Sequence, residues 1–136
     1  YAIVLSCADS RVVPELAFDT GLGELFVIRV AGNVANVESL TSIEYAVANL
    51  KTKVIVVMGH ESCGAVTAAM AGGDNGYNLN MLLAHIEPAK AACQGGTVNE
   101  VVKKNAELVA RDMSERSSII RKAVADGILK IVPAYY

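Results

Sequence analysis

The chemistry this sequence could perform rests on five residues in two short segments. Cys7, Asp9 and Arg11 lie within five positions of one another, and His60 and Cys63 stand three apart much later in the chain. Two thiolates and an imidazole are donors that suit zinc, a borderline-soft ion with tetrahedral preference. Three protein ligands leave a fourth position open, which is the pattern of catalytic rather than structural zinc. Gly59 and Gly64 flank the second segment and are expected to let the backbone turn tightly around the ion. Asp9 and Arg11 are two apart, so their side chains can point the same way on an extended segment. A guanidinium there keeps the carboxylate ionised and can hold it by two hydrogen bonds. So fixed beside zinc, it could accept a proton from bound water or orient the hydroxide. A plainer reading stands beside this one: buried cysteines often only pack, and an exposed Asp–Arg pair contributes little. Cys93 is read as a helix residue without a chemical role, and His85 is the only other histidine.

Other chemistries fail on spacing. A phosphate-loop phosphatase needs an arginine six positions after its cysteine, where this chain has Val13. No GxxxxGK[ST] is present, and Gly21-Leu22-Gly23 lacks the rest of a dinucleotide-binding fingerprint.

The elements that must position these residues follow from hydrophobic pattern. Residues 3–5, 25–30, 54–58 and 128–132 are short aliphatic runs, apolar at nearly every position. Such runs suit strands covered on both faces, as in a parallel sheet. Helical spacing runs through residues 38–50, 79–92 and 98–113, and Ser117-Ser118 could cap a further helix carrying Ile119, Ile120, Ala123 and Val124. Residues 72–76 read as a loop. Alternating strands and helices imply an α/β fold whose central, mainly parallel sheet is flanked by helices. Ligands in such folds sit beyond the carboxyl ends of strands. Cys7, Asp9 and Arg11 follow the first strand, and His60 and Cys63 follow the third. If those strands are neighbours, both segments meet in one crevice.

Composition bounds the rest. The 136 residues carry 12 Lys+Arg against 14 Asp+Glu and are 53% hydrophobic with 19% charged. One domain is expected over residues 1–136. The slight negative charge, without a basic stripe, argues against nucleic-acid binding. Disorder is excluded by the apolar content, and no run approaches the ~20 residues of a membrane span. Three cysteines without a CxxC suit reduced thiols or metal ligands, hence a cytoplasmic location. High aliphatic content in a small domain points to apolar surface covered by another subunit. Both ends fall in strand-like runs, so the sequence is expected to be the core of a longer protein, lacking an N-terminal arm and a C-terminal end.

Taken together, Cys7-Ala8-Asp9-Ser10-Arg11-Val12-Val13-Pro14-Glu15 and Gly59-His60-Glu61-Ser62-Cys63-Gly64-Ala65 resemble the two signatures of the β-class carbonic anhydrases. The resemblance continues through residues 23–33, 42–47, 129–132 and 134–136 and so spans nearly the whole chain. It implies a sheet in the order 2-1-3-4 and reversible zinc-dependent hydration of CO2 to bicarbonate and a proton by zinc-bound hydroxide. Cys7, His60 and Cys63 would hold Zn2+, and Asp9 and Arg11 match the family's catalytic dyad. Gly64 would line the substrate pocket, as would Phe26 and Tyr45, supplied by the partner subunit of a homodimer or dimer of dimers. The inhibited, bicarbonate-binding subtype has a tryptophan where this chain has Val4, although Arg29 matches that pocket's arginine; this favours the permanently open subtype. Pro133 stands where a glycine is common, so an irregular sheet edge is expected there. Relatives on the same scaffold hydrolyse carbonyl sulfide or carbon disulfide, which gives the alternative substrates. A non-catalytic zinc-stabilised interaction module is the alternative of another class, and the intact Asp9 and Arg11 speak against it.

Overall fold

The computed structural model describes residues 1–136. Four strands form one sheet: β1 (Ala2–Ser6), β2 (Leu25–Arg29), β3 (Val54–Gly59) and β4 (Lys130–Tyr135), in the spatial order β2-β1-β3-β4 and parallel throughout. Around it lie α1 (Pro14–Ala17), α2 (Val37–Tyr45), α3 (Gly64–Ala71), α4 (Tyr77–Ala84), α5 (Glu87–Ala92), α6 (Val98–Arg116) and α7 (Ser118–Ala125). No helix is long and apolar enough to cross a membrane.

The continuous apolar runs have the expected cause. Successive side chains of β1 and β3 point to opposite faces, and both faces are covered. Ile3, Leu5, Ile55 and Val57 enter one buried cluster, with Leu40, Ile43 and Ile120 from the helices. Val4 and Met58 enter the other, which also holds Cys7, Cys63, Val66 and Ile86. Helix α6 serves both clusters, with Val101 and Val102 in the second and Ala106, Ala110 and Met113 in the first. Its start is fixed by a capping box: Thr97 Oγ1 accepts from the Glu100 N–H, and Glu100 accepts from the Thr97 N–H. Ser117 caps α7 by accepting from the Ile120 N–H.

Several boundaries differ from those read in the sequence. β4 begins at Lys130, because the N–H groups of Ile128 and Leu129 both turn back to the Ala123 carbonyl. The helix expected over 79–92 is two helices, α4 and α5, and Pro88 opens the second. The short helix α1 and all of α3 were not expected; α3 is so uniformly apolar and small-residued that it shows no periodic face. The helix over 38–50 is present, but its last part, Ala46–Leu50, widens into a π-helical turn. Pro133 does not break the edge: it pairs in register with Val57 on strand β4, whose outer side has no neighbour to receive an N–H.

Candidate metal centre

The register of β1 on β3 sets Ser6 beside Met58, so the chain leaves both strands at the same level. Cys7 follows one strand and His60 the other. Cys63 immediately precedes α3. The turn between His60 and Cys63 is made by Ser62, in the left-handed region at φ +56°. Its N–H donates to Asn99 Oδ1 at 2.9 Å, and its carbonyl accepts from Arg11 Nη2 at 3.2 Å. These two bonds hold a conformation that serine otherwise disfavours. The expectation that Gly59 and Gly64 make the turn is therefore corrected, since neither adopts positive φ. Gly59 is needed for another reason: a Cβ there would lie 2.6 Å from Val102 Cγ1.

The result is a buried group of three. One potential ligand atom each from Cys7, His60 and Cys63 lie within 4.8 Å of one another. His60 Nδ1 bonds the Glu61 carbonyl oxygen at 2.9 Å, which places its proton on Nδ1. His60 Nε2 is then an acceptor, fully buried and without a hydrogen-bond partner. A buried polar atom left so is costly unless something else binds it. A histidine oriented by a carbonyl at one nitrogen and bare at the other is the usual arrangement of a metal ligand. The hydrogen bond from Cys63 pushes the Cys7 thiol down, helped by the N–H groups of Asp9 and Gly32, against the effect of burial. The same contact, with burial, pushes Cys63 well above the usual thiol range. Gly32 N–H reaches Cys7 Sγ at 3.3 Å. Soft sulfur, neutral imidazole and a bare buried nitrogen fit zinc.

Asp9 stands at the edge of this group. Its Oδ2 is 4.0 Å from His60 Nε2. Arg11 grips it as expected, with Nη2 2.6 Å and Nε 3.1 Å from Oδ2, Nε 3.0 Å from Oδ1, and the Arg11 backbone N–H 2.9 Å from Oδ1. That grip holds the carboxyl well below the usual carboxylate range. A cleft of about 220 Å³, lined by Arg11, Val12, His60, Glu61, Ser62 and Tyr136, opens alongside.

The remaining residues singled out in the sequence are placed as follows. Gly64 is the first residue of α3, next to Cys63, with open space where a Cβ would be. Phe26 and Tyr45 are not near the group in this protomer. Phe26 packs on the cluster at the opposite face of the sheet, its ring 6.3 Å from that of Tyr45, which is 54% exposed. His85 ends α4 in a groove with Asn36 and Glu38, where burial and Arg116 lower its pKa. Cys93 is half-buried at the end of α5, outside the group. The sequence reading missed the work of Arg29. Its Nε donates to the Cys7 carbonyl at 2.9 Å and its Nη2 to those of Asp9 and Val12 at 2.6 and 2.9 Å, which clamps the loop carrying Cys7 and Asp9. A charged residue ending an otherwise apolar strand was the available signal.

The carbonic anhydrase family model matches residues 2–136. Carbonic anhydrase 2 of Mycobacterium tuberculosis is 38% identical over 142 residues, covering 99% of this chain and 69% of that protein. A tetrameric β-carbonic anhydrase of Sordaria macrospora superposes with a TM-score of 0.89 at 26% identity, over 99% of this chain and 74% of the other. The Coccomyxa β-carbonic anhydrase, solved with acetazolamide, superposes with a TM-score of 0.85 at 29% identity, over 96% of this chain and 64% of the other. The chain belongs to the β-carbonic anhydrase family.

Proposed function

We propose that this chain catalyses the reversible hydration of CO2 to bicarbonate and a proton, with zinc held by Cys7 Sγ, His60 Nε2 and Cys63 Sγ. The observation that carries the reading is the bare, buried Nε2 of His60, with two sulfurs and a clamped carboxylate around it. Zinc bound there supplies Lewis-acid activation of water near neutral pH. Asp9 orients the reacting water by accepting a hydrogen bond at Oδ2, the oxygen nearer the ligand group. Arg11 fixes that acceptor in place and is itself tied to the Ser62 carbonyl, so the carboxylate and the His60–Cys63 turn move as one unit. Gly64, without a side chain, leaves the approach to Cys63 open. CO2 is apolar and needs an apolar wall, and we assign that wall to Phe26 and Tyr45 of a second subunit. In one protomer they face away from their own site, and Leu16, Leu22 and Tyr45 are exposed as an interface would require. The assembly is then a homodimer or a dimer of dimers.

The test is stopped-flow CO2 hydration with zinc content measured on the same samples. Asp9→Ala is expected to keep its zinc and lose about 10²-fold or more in rate. An unchanged rate would remove Asp9 from the chemistry. Wild-type protein that holds zinc but hydrates no CO2 would move the assignment to the sulfur analogues, carbonyl sulfide and carbon disulfide. Acetazolamide, bound in the Coccomyxa relative, is the inhibitor to use in the same assay.

A further inference from the structure

We propose that Asn105, on α6, is a positioning residue for the metal centre: it fixes the turn at Gly32 so that the Gly32 N–H is aimed at the Cys7 sulfur. The inference rests on the zinc reading above. Asn105 is 2% exposed and follows Val101 and Val102 on a helix face that is otherwise apolar. A buried amide is costly unless bonded, so the position calls for a partner. The one side-chain hydrogen bond of Asn105 runs from Nδ2 to the Gly32 carbonyl at 3.0 Å, across 73 positions of sequence.

The turn it holds is locally unfavourable. Gly32 and Asn33 are successive left-handed residues, at φ +70° and +44°. Nor can a larger residue stand at Gly32, because a Cβ would lie 2.9 Å from Ile86 Cδ1 and 3.2 Å from Ala65 Cβ. Glycine takes that conformation freely, whereas Asn33 persists in it only where its surroundings over-determine it. Two bonds do so here: the Asn33 N–H to the Val30 carbonyl at 2.8 Å, and Asn105 on the Gly32 carbonyl. With the carbonyl held, the Gly32 N–H lies 3.3 Å from Cys7 Sγ. An N–H directed at a thiolate aims its lone pairs and moderates the charge it gives to a metal, which is how groups behind the ligands tune an ion. Helix α6 therefore reaches the Cys7 side of the metal centre through the Gly32 turn, as its Asn99 reaches the His60–Cys63 side at Ser62.

The test compares Asn105→Leu, which keeps the size and removes the donor, with Asn105→Asp, which keeps the shape and can only accept. Met113→Ala is the control, a buried change on the same helix in the other cluster. Zinc affinity is measured by competition with a chromophoric chelator. Thiolate-to-cobalt charge transfer is read in the near ultraviolet on cobalt-substituted protein. Both Asn105 variants should bind zinc ~10–100-fold more weakly and shift the charge-transfer band, with Met113→Ala at wild-type values in both. Wild-type affinity and an unshifted band in the Asn105 variants overturn the proposal, as does an equal loss in Met113→Ala. If Asn105→Leu does not fold, Asn105→Asp decides by the same two readings, and Asn105→Ser stands in for both. Failure of the wild-type protein to bind zinc would instead overturn the zinc reading itself.

Discussion

Gly59→Ala should be among the most damaging single-methyl additions in the molecule. The new Cβ would lie 2.6 Å from Val102 Cγ1 and 3.2 Å from the Val102 carbonyl oxygen. Carbon atoms pack best at ~3.5–4.0 Å, so the methyl arrives about 1 Å too close. Val102 cannot swing aside easily, since it is 2% exposed and a valine on a helix is largely confined to one χ1 rotamer. Overpacking of this kind costs about 1–3 kcal/mol. Val102→Ala alone removes two buried methyl groups at ~0.8 kcal/mol each, and with the cavity left behind should cost about 2 kcal/mol. If the two effects were independent, the double variant would lose about 4 kcal/mol. They are not independent, because the methyl on residue 59 enters the space that Val102 vacates. We expect the double variant to lose about 2 kcal/mol, a coupling of about 2 kcal/mol in its favour. Urea unfolding of zinc-saturated protein, followed by circular dichroism, measures all three. Zinc affinity should follow the same pattern, falling in Gly59→Ala because His60 is the next residue and recovering in the double variant. Additive losses would refute the reasoning, because they would show that α6 and the end of β3 do not meet as described.

Tyr45→Ala should lower the hydration rate with zinc content unchanged, because Tyr45 lies away from the Cys7, His60 and Cys63 group of its own protomer. Mixing it with Asp9→Ala protomers should restore activity, since one site of the mixed dimer keeps both residues; no recovery after verified subunit exchange would end the assignment of Tyr45 to the partner's site. Removing zinc with a strong chelator should lower the melting temperature by roughly 10–15 °C, the equivalent of ~4 kcal/mol when free zinc stood at about a thousandfold its Kd, and re-addition should restore it. An unchanged melting curve would mean that no ion bridges Cys7 to the His60–Cys63 turn. His85 has its pKa lowered by burial and Arg116, so the unfolded chain takes up its proton first as pH falls. Its neutral form therefore contributes stability above pH ~6.5 that is lost on acidification through the lower, folded value. His85→Gln should flatten the decline in stability between about pH 6.5 and 5 relative to wild type, measured by urea unfolding, and equal slopes would contradict the assignment.

The strands and the meeting of Cys7 with His60 and Cys63 were legible in the sequence because both depend on local pattern. Ile3, Val4 and Leu5 are apolar on both faces, and a strand covered on both sides has no alternation to hide. Cys7 and His60 directly follow such strands, so the placement of chemistry beyond strand ends sufficed to join them. What stayed hidden depends on distant partners. The left-handed Ser62 is held by Asn99 and Arg11, and no serine advertises that conformation. β4 starts late because Ile128 is spent on a turn in which it is 57% exposed, contrary to its type. The grips of Arg29 and Asn105 on backbone carbonyls are invisible to motif reading, although a polar residue one turn beyond Val101 was a visible anomaly. Phe26 and Tyr45 show the reverse case: the resemblance marks them, and within a single protomer they pack with each other away from the metal centre.

The separation of Cys7 from the His60–Cys63 turn has a further consequence, for folding. These donors are about fifty residues apart in sequence and meet only when β1 lies on β3. Closing a loop of that length is an entropic cost that a nascent or unfolded chain must meet before any ion can bridge it, and such non-local pairing is slow. A slip of one residue in the pairing would carry Cys7 about 3.3 Å along the strand and turn its side chain to the other face. Ligand distances tolerate only ~0.2 Å. Metal uptake would then be a proofreading step, completed only by chains whose central strands have found their register.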